Sequence, residues 1–106
     1  MPKMVARTLH MKFTAPSLEP QQLLSMMQAA QPFYELFGGK RARLLQNADY
    51  PTRYIQMIDY ESPEELEVNR QRFASDARFQ SFLQAWRSVI GDGIEIDIYQ
   101  DVANGA

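Results

Sequence analysis

His10 is the first side chain of this sequence to consider for chemistry. It is the single histidine among 106 residues, and an imidazole titrates near neutral pH without help from its surroundings. If it faces a cavity, it could act as a base or orient a ligand. The plainer interpretation, which we favour, is a strand histidine at a polar rim or a subunit interface. Arg7 interrupts an otherwise apolar face of the same segment, where it could orient a ligand or extend from the strand end into water. His10 and Arg7 are therefore the candidate catalytic residues.

The candidate substrate-binding residues are aromatic: Tyr34, Tyr54, Tyr99 and Trp86. A buried phenol usually finds a hydrogen-bond partner, so the tyrosines suit a cavity that contains polar groups. Trp86 shares a stripe at helical spacing with Phe79 and Phe82, and such a stripe is more often hydrophobic core. The six methionines fit either an adaptable apolar pocket or a plain core.

Three arginines, Arg41, Arg43 and Arg53, fall close together on two predicted strands. They could bind an anionic group of a ligand. Arginines in such places more often form a solvated sheet edge that discourages aggregation, and we favour that interpretation.

The composition excludes several kinds of site and partner. The sequence has no cysteine and one histidine, which excludes disulfides, thiolate catalysis and a multi-histidine metal site within one subunit. A net charge of −2 argues against binding nucleic acid through phosphate contacts. No apolar run reaches the ~18 residues of a membrane helix. Residues 1–7 lack the apolar stretch of a signal peptide, so we expect a cytoplasmic protein. No nucleotide or flavin motif is present, and we expect no cofactor.

Hydropathy patterns define the elements that would position these residues. Residues 4–13 alternate apolar and polar side chains, which predicts a strand. A helix should follow from residue 17 or 19 to residue 37, with a kink or break at Pro32. Gly38 and Gly39 should end this helix by supplying a positive φ.

Residues 40–46 and 53–60 predict two strands joined as a hairpin, because turn residues separate them. The segment after the hairpin has the pattern of a helix start. Ser62 is the expected N-cap, Pro63 the first helical residue and Glu65 the second half of a capping box.

The helix that begins there should end near Phe73, and Ser75 or Asp76 should begin another. This last helix carries a broad apolar stripe and should end at residues 91–93. From residue 94 onward isoleucines alternate with polar side chains, which predicts a half-buried strand.

The resulting order is β-α-β-β-α-α-β, the ferredoxin-like βαββαβ arrangement with a split second helix. The predicted fold class is therefore α+β, a four-stranded antiparallel sheet with helices on one face. A chain of this length predicts one domain, over residues 1–103, with residues 104–106 as a frayed tail.

The sheet face away from the helices should bring two rows of side chains together: Thr8, His10 and Lys12 in strand one, and Glu95, Asp97 and Tyr99 in strand four. A pair of His10 with a carboxylate would raise the histidine pKa, or the cross-strand pairs would only set the register, which we favour. The third strand is half apolar on both faces, so this second face should also pack. A second copy of the chain is the simplest partner.

Five segments resemble the dimeric α/β-barrel superfamily, which includes antibiotic-biosynthesis-type monooxygenases and small stress-responsive domains. They are residues 5–12, 37–39, 54–60, 76–86 and 94–102, and the resemblance covers nearly the full chain. It implies a dimer whose two sheets face each other, with a cavity between each sheet and its own helices or at the sheet interface. Members of this group that oxidise polycyclic phenols line their cavity with aromatic residues. The haem-degrading branch relies on an Asn, a His and a Trp, and the positions of Asn47, His10 and Trp86 do not match that pattern.

Three functions are compatible with the resemblance. The preferred one is a cofactor-independent, monooxygenase-like enzyme that holds a small aromatic or quinol-like molecule in an apolar cavity. His10 would then be the base, and Tyr54, Tyr99 and Arg7 would orient the ligand. The second is a dimeric binding module without catalysis, which a filled interior would favour. The third is a stress or regulatory domain that acts through a protein partner, which an apolar patch left exposed after dimerisation would favour.

Overall fold

The computed structural model describes residues 3–103, apart from the side chain of residue 70, so the tail predicted at residues 104–106 lies outside the described residues. The elements follow the order β1 (Met4–Thr14), α1 (Pro20–Ala29), α2 (Gln31–Leu36), β2 (Gly39–Gln46), β3 (Arg53–Pro63), α3 (Glu64–Glu67), α4 (Arg70–Ala74), α5 (Ala77–Ile90) and β4 (Glu95–Tyr99).

The strands form one antiparallel sheet in the order β2-β3-β1-β4. The two longest strands, β1 and β3, lie at its centre and pair from Met4 opposite Pro63 to Thr14 opposite Arg53. This strand order, with the helices on one face, confirms the predicted α+β ferredoxin-like fold.

The inner face of the sheet, defined as the side that packs against the helices, carries the core. Strand alternation brings these buried side chains to it: Leu9, Met11 and Phe13 of β1, with Tyr54, Gln56 and Ile58 of β3. Phe82 and Trp86 of α5 belong to the same core. The aromatic stripe of α5 is therefore core, as its spacing predicts.

The open face, defined as the opposite side of the sheet, carries the polar rows that alternation predicts. Thr8, His10 and Lys12 of β1 lie opposite Tyr99, Asp97 and Glu95 of β4. Ile55 and Met57 of β3 lie on the same side and are half-buried. The outward face of the third strand therefore combines half-buried apolar residues with charged ones, so it is half apolar.

The first helical region is divided into α1 and α2. Glu19 begins α1 through a capping box with Gln22, and α2 begins at Gln31 with Pro32 in its first turn. The helix break expected at Pro32 lies just before that residue, between Ala29 and Gln31. Pro32 itself stays helical, because proline is tolerated in the first turn of a helix.

Gly38 ends this region in a conformation that other residues rarely adopt. Its φ is +96°, and a Cβ there would collide with the backbone carbonyl of Glu61 at the end of β3. Both facts require glycine at the entry to β2.

The predicted helix start at Ser62 is wrong. Ser62 is a buried residue of β3 that pairs with Val5, and its hydroxyl donates to Glu67 instead of capping a helix. The single helix expected to reach Phe73 is two short helices, α3 and α4, because Asn69 caps a new start. Further on, Asp76 rather than Ser75 caps α5.

Candidate functional site

Gln56 is a fully buried polar side chain at the centre of the inner face. It is 0% exposed, and its cross-strand neighbours are Met11 of β1 and Leu44 of β2. Neither Oε1 nor Nε2 has a hydrogen-bond partner within residues 3–103. Because most buried polar groups in native proteins are hydrogen-bonded, an amide with two unpaired atoms needs a functional or structural explanation.

Trp86 adds a second unpaired polar group to the same layer. The side chain is 1% exposed, and its Nε1 finds no acceptor among the described residues. Its ring lies 5.7 Å from the ring of Phe13, and Phe13 stacks on Tyr54 at 5.7 Å. We call Phe13, Tyr54 and Trp86 the inner aromatic stack.

An open cleft of about 640 Å³ leads to the inner aromatic stack. It lies where β1 and β2 end and β3 and β4 begin, and Phe13 and Tyr54 line it together with Lys12, Arg53 and Glu95. The volume falls within the range of roughly 300–1,000 Å³ for small-molecule sites. A small ligand in the cleft would therefore reach the outer edge of the stack.

The phenol of Tyr54 has hydrogen-bonding capacity at the base of this cleft. Gln46 Nε2 donates to the Tyr54 hydroxyl over 3.4 Å and to the carbonyl of Pro51 over 2.9 Å. Because the phenol oxygen accepts in this contact, its own hydrogen can be donated to a ligand.

A second polar cluster surrounds Glu67 of α3, at the other end of the sheet. The Glu67 side chain is 1% exposed, and it accepts hydrogen bonds from Ser62 Oγ at 2.6 Å and from the Tyr60 hydroxyl at 3.1 Å. Arg7 Nε lies 3.9 Å from the same carboxylate. This contact explains the charge of Arg7 on an otherwise apolar face, because a buried carboxylate needs a compensating cation.

His10 lies on the open face, away from Gln56 and the inner aromatic stack. Its ring packs against that of Tyr99 at 4.5 Å. Asp97 opposite His10 pairs with Lys12 Nζ at 3.0 Å, a cross-strand ion pair of the kind that we favour, and no His10–carboxylate pair forms within residues 3–103. The hydrogen bond to Asp97, and the charge of that carboxylate, raise the pKa of Lys12 above its usual range.

Tyr34 lies on α2 and is buried in the core. Burial, with a smaller contribution from the charge of Glu35, raises the pKa of its phenol. The phenol is therefore neutral at physiological pH.

The three arginines of the hairpin do not converge on one point. Arg41 pairs with Asp59 at 3.2 Å, and the guanidinium of Arg53 lies 4.3 Å from the ring centre of Tyr50. Arg43 is exposed and makes no ion pair within the described range. Arg41 and Arg43 lie on the edge strand β2, as a solvated sheet edge requires, whereas Arg53 lies at the start of the central strand β3.

The six residues predicted for the site thus lie in separate places. Tyr54 and Trp86 meet through Phe13 on the inner face, His10 and Tyr99 meet on the open face, and Arg7 joins Glu67. Sequence reasoning missed Gln56 as a site residue. The sequence places Gln56 in one row with Tyr54 and Ile58, but it does not show that this row, and not the row of Ile55 and Met57, faces the helices.

Within residues 3–103, no cluster of three or more His, Asp or Glu side chains is placed to hold a metal ion. Over the same range, no helix is long and apolar enough to cross a membrane.

No protein-family model matches the sequence, and no curated protein matches it. Solved structures do share its fold. A Bordetella bronchiseptica protein named as an antibiotic biosynthesis monooxygenase superposes with a TM-score of 0.66 at 18% identity, over 92% of this chain and 97% of its own. The cofactor-independent oxygenase SnoaB of Streptomyces nogalater, in a mutant form, gives 0.60 at 18% identity, over 92% and 93%.

A third structure with the same fold has a different name. A Bacillus halodurans protein of the ethyl tert-butyl ether d family superposes with a TM-score of 0.61 at 12% identity, over 92% of this chain and 100% of its own. The chain therefore has the ferredoxin-like fold of the antibiotic-biosynthesis monooxygenase proteins, as its sequence predicts. Fold alone does not decide the chemistry, which depends on the site.

Proposed function

We propose that this protein is a cofactor-independent, monooxygenase-like enzyme that acts on a small aromatic, quinol-like molecule at the inner aromatic stack and Gln56. The observation that carries the proposal is the buried, unpaired amide of Gln56 beside an apolar and aromatic layer. A buried polar group without a hydrogen bond costs about 1–3 kcal/mol of stability. A ligand that carries phenol or carbonyl groups would supply the missing partners.

The solved structures with this fold support the same class of chemistry, since SnoaB is named a cofactor-independent oxygenase. The cleft of about 640 Å³ supports it further, because its volume suits a ligand of a few fused rings. Gln56 and Trp86 are buried behind Phe13 and Tyr54 and do not line the cleft, so the ligand would pass between those two rings to reach them. Tyr54 lines that cleft and would contact the ligand edge.

The reaction needs no resident redox group if the substrate is electron-rich. The substrate would lose one hydrogen from a ring carbon and one from the phenol para to it, that carbon would gain one oxygen atom from O₂, and the second oxygen atom would leave with the two hydrogens as water. Gln56 Nε2 and Trp86 Nε1 would donate hydrogen bonds to the substrate oxygen on which negative charge develops. Gln56 Oε1 would accept from a phenol of the substrate and so fix its orientation.

The test combines a binding signal with turnover. Trp86 is the single tryptophan of the chain, so its fluorescence reports on the inner layer directly. We expect an anthrone to change this emission and to consume O₂, with ¹⁸O₂ label appearing in the product. Gln56→Leu should lower turnover about 100-fold, the usual effect of losing a donor to developing charge. Gln84→Leu, an equivalent change on the exposed side of α5, should leave turnover unchanged. Equal turnover by wild type and Gln56→Leu for every compound tried would contradict the proposal.

The proposal includes a homodimer through the open face, in which His10 and Tyr99 take interface positions and not a catalytic step. Half-buried Ile55 and Met57 on that face support it, because a sheet apolar on both sides is typical of one that packs twice. A cytoplasmic location stays a prediction of the sequence.

A binding module without catalysis is the second candidate. The observation that favours it is the close packing of the inner layer, where the rings of Phe13, Tyr54 and Trp86 already contact one another. Under this alternative, ligands change Trp86 fluorescence and Gln56→Leu weakens their binding, but no O₂ is consumed.

A further inference from the structure

The cleft beside the inner aromatic stack holds one positive charge that no carboxylate of the described residues compensates. Two cationic side chains, Lys12 and Arg53, and one carboxylate, Glu95, line this cleft. Lys12 Nζ pairs with Asp97 at 3.0 Å, and Glu95 lies opposite Lys12 in the sheet. Arg53 is exposed and makes no ion pair within residues 3–103. The free charge of the cleft is therefore that of Arg53.

A tyrosine holds the guanidinium of Arg53 in place. The central carbon of this group lies over the ring of Tyr50, 4.3 Å from the ring centre, in a cation–π contact. The turn that carries Tyr50 is fixed, because Asn47 Oδ1 accepts from the backbone N–H groups of Asp49 and Tyr50 at 2.8 and 2.9 Å. A cation–π contact uses none of the N–H donors of the guanidinium, so these donors are available to a ligand.

The other two arginines of the hairpin lack this combination of position and free charge. Arg41 pairs with Asp59 at 3.2 Å, and Arg43, opposite Met57 in the sheet, does not line the cleft. Arg53 lines it and directly precedes Tyr54, a member of the inner aromatic stack. An anionic group bound by Arg53 would therefore lie beside the point where the rings of a ligand meet the stack.

The donors of Arg53 suit a carboxylate on a flat ring system. The N–H groups of a guanidinium form a planar fork that matches the two oxygen atoms of a carboxylate, with two parallel hydrogen bonds. The apolar lining of the same cleft includes Phe13, Tyr54 and Ile55. Arg53 and Gln56 are three residues apart in β3, about 10 Å along the strand. A molecule of three fused rings is long enough to span both.

We propose that Arg53 is a specificity-determining residue, which binds a carboxylate attached to the aromatic ring system of the ligand at the mouth of the cleft. The proposal rests on the proposed function for the aromatic class of the ligand, and it adds the charged group that this ligand carries. The carboxylate lies at the outer end of the ligand, away from the carbon that reacts. Loss of Arg53 should therefore raise KM and leave kcat nearly unchanged.

The experiment measures the binding of two compounds that differ in charge. An anthraquinone carboxylate carries the anion, and the corresponding anthraquinone carboxamide is its neutral analogue. Both already carry the ring oxygens that the proposed reaction would introduce, so calorimetry measures binding without turnover. The proteins are wild type, Arg53→Gln, Arg53→Lys and Arg43→Gln, with circular dichroism to check folding. Arg43→Gln is the matched control, because it removes the same charge from the neighbouring strand outside the cleft.

We expect wild type to bind the carboxylate about fivefold or more tightly than the carboxamide. Arg53→Gln should raise the Kd of the carboxylate by about the same factor and leave that of the carboxamide within about twofold. Arg53→Lys should recover part of the loss, because lysine keeps the charge and lacks the planar fork. Arg43→Gln should bind both compounds as wild type does.

Three outcomes would overturn the proposal. They are a wild type that binds the two compounds equally or binds neither, an Arg53→Gln variant that weakens both alike, and an Arg43→Gln variant that weakens the carboxylate as much as Arg53→Gln does. A protein that consumes O₂ with an anthrone but shows no preference for the carboxylate would keep the proposed function and lose this proposal. A preference that depends on Arg53, in a protein that consumes no O₂, would do the reverse.

Discussion

At the scale of single residues, we expect the unpaired amide of Gln56 to lower the stability of the folded protein. Leucine has a similar volume and lacks the amide, so Gln56→Leu removes two unpaired buried atoms. We expect the free energy of unfolding to rise by about 1–3 kcal/mol, the cost of leaving such groups unpaired. Urea titration followed by Trp86 fluorescence measures this change, and Gln84→Leu should stay within about 0.5 kcal/mol of wild type. A less stable Gln56→Leu would mean that the amide has a structural partner in solution.

Glu67 is the opposite case, a buried polar side chain whose partners are present. Glu67→Ala removes the acceptor of the Ser62 and Tyr60 hydroxyls and leaves Arg7 without its carboxylate. We expect a loss of about 3–5 kcal/mol in the free energy of unfolding, as for other broken buried pairs. Glu65→Ala, on the same short helix but exposed, should change it by less than about 0.5 kcal/mol. Equal losses in the two variants would show that α3, and not the buried carboxylate, limits stability.

At the scale of elements, the N-cap of α5, Asp76, should make the stability of the protein depend on pH. Asp76 accepts from the backbone N–H of Arg78 and pairs with its guanidinium at 2.9 Å. The Arg78 hydrogen bonds hold the pKa of Asp76 below its ordinary 3.8. A folded pKa below the unfolded one contributes stability above the unfolded value, and this contribution is lost as the pH falls through the folded value.

Two substitutions at Asp76 separate the cap from the charge. Asp76→Ala should cost about 1 kcal/mol at neutral pH through loss of the N-cap. Asp76→Asn keeps an acceptor, so it should cost less, and its difference from wild type should vanish as the pH falls through the lowered pKa of folded Asp76. Unfolding free energies measured between pH 7 and pH 2 test this, with Asp92→Asn in the turn after α5 as the control. A constant difference between wild type and Asp76→Asn at every pH would contradict the charge contribution.

The elements also show why the sequence predicts the fold better than the site. Alternation in β1 and β4 and the stripe of α5 are strong, local signals, and the structure follows them. The prediction at Ser62 is wrong because two tertiary contacts override its local helix-start pattern. Ser62 pairs with Val5 in the sheet, and its hydroxyl donates a hydrogen bond to Glu67. Which apolar half of β3 faces the helices depends on tertiary register, so the burial of Gln56 could not be derived from its neighbours in the chain.

At the scale of the whole molecule, the open face carries Arg41 and Arg43 on β2 and Glu95 and Asp97 on β4, at opposite edges of the sheet. This division of charge predicts how salt acts on the proposed homodimer. Raising the salt concentration from about 0.05 M to about 0.5 M shortens the screening length from about 14 Å to about 4 Å. If β2 lies opposite β4 of the partner, screening removes attraction in the wild type and removes repulsion in Arg43→Glu. The dimer dissociation constant should therefore rise with salt for the wild type and fall with salt for Arg43→Glu. If the dissociation constants of wild type and Arg43→Glu change with salt in opposite directions, the cause cannot be a general effect of salt on apolar burial. That effect strengthens both dimers alike. Sedimentation equilibrium at the two salt concentrations measures both trends, and trends of the same sign would place the charged strands away from each other in the dimer.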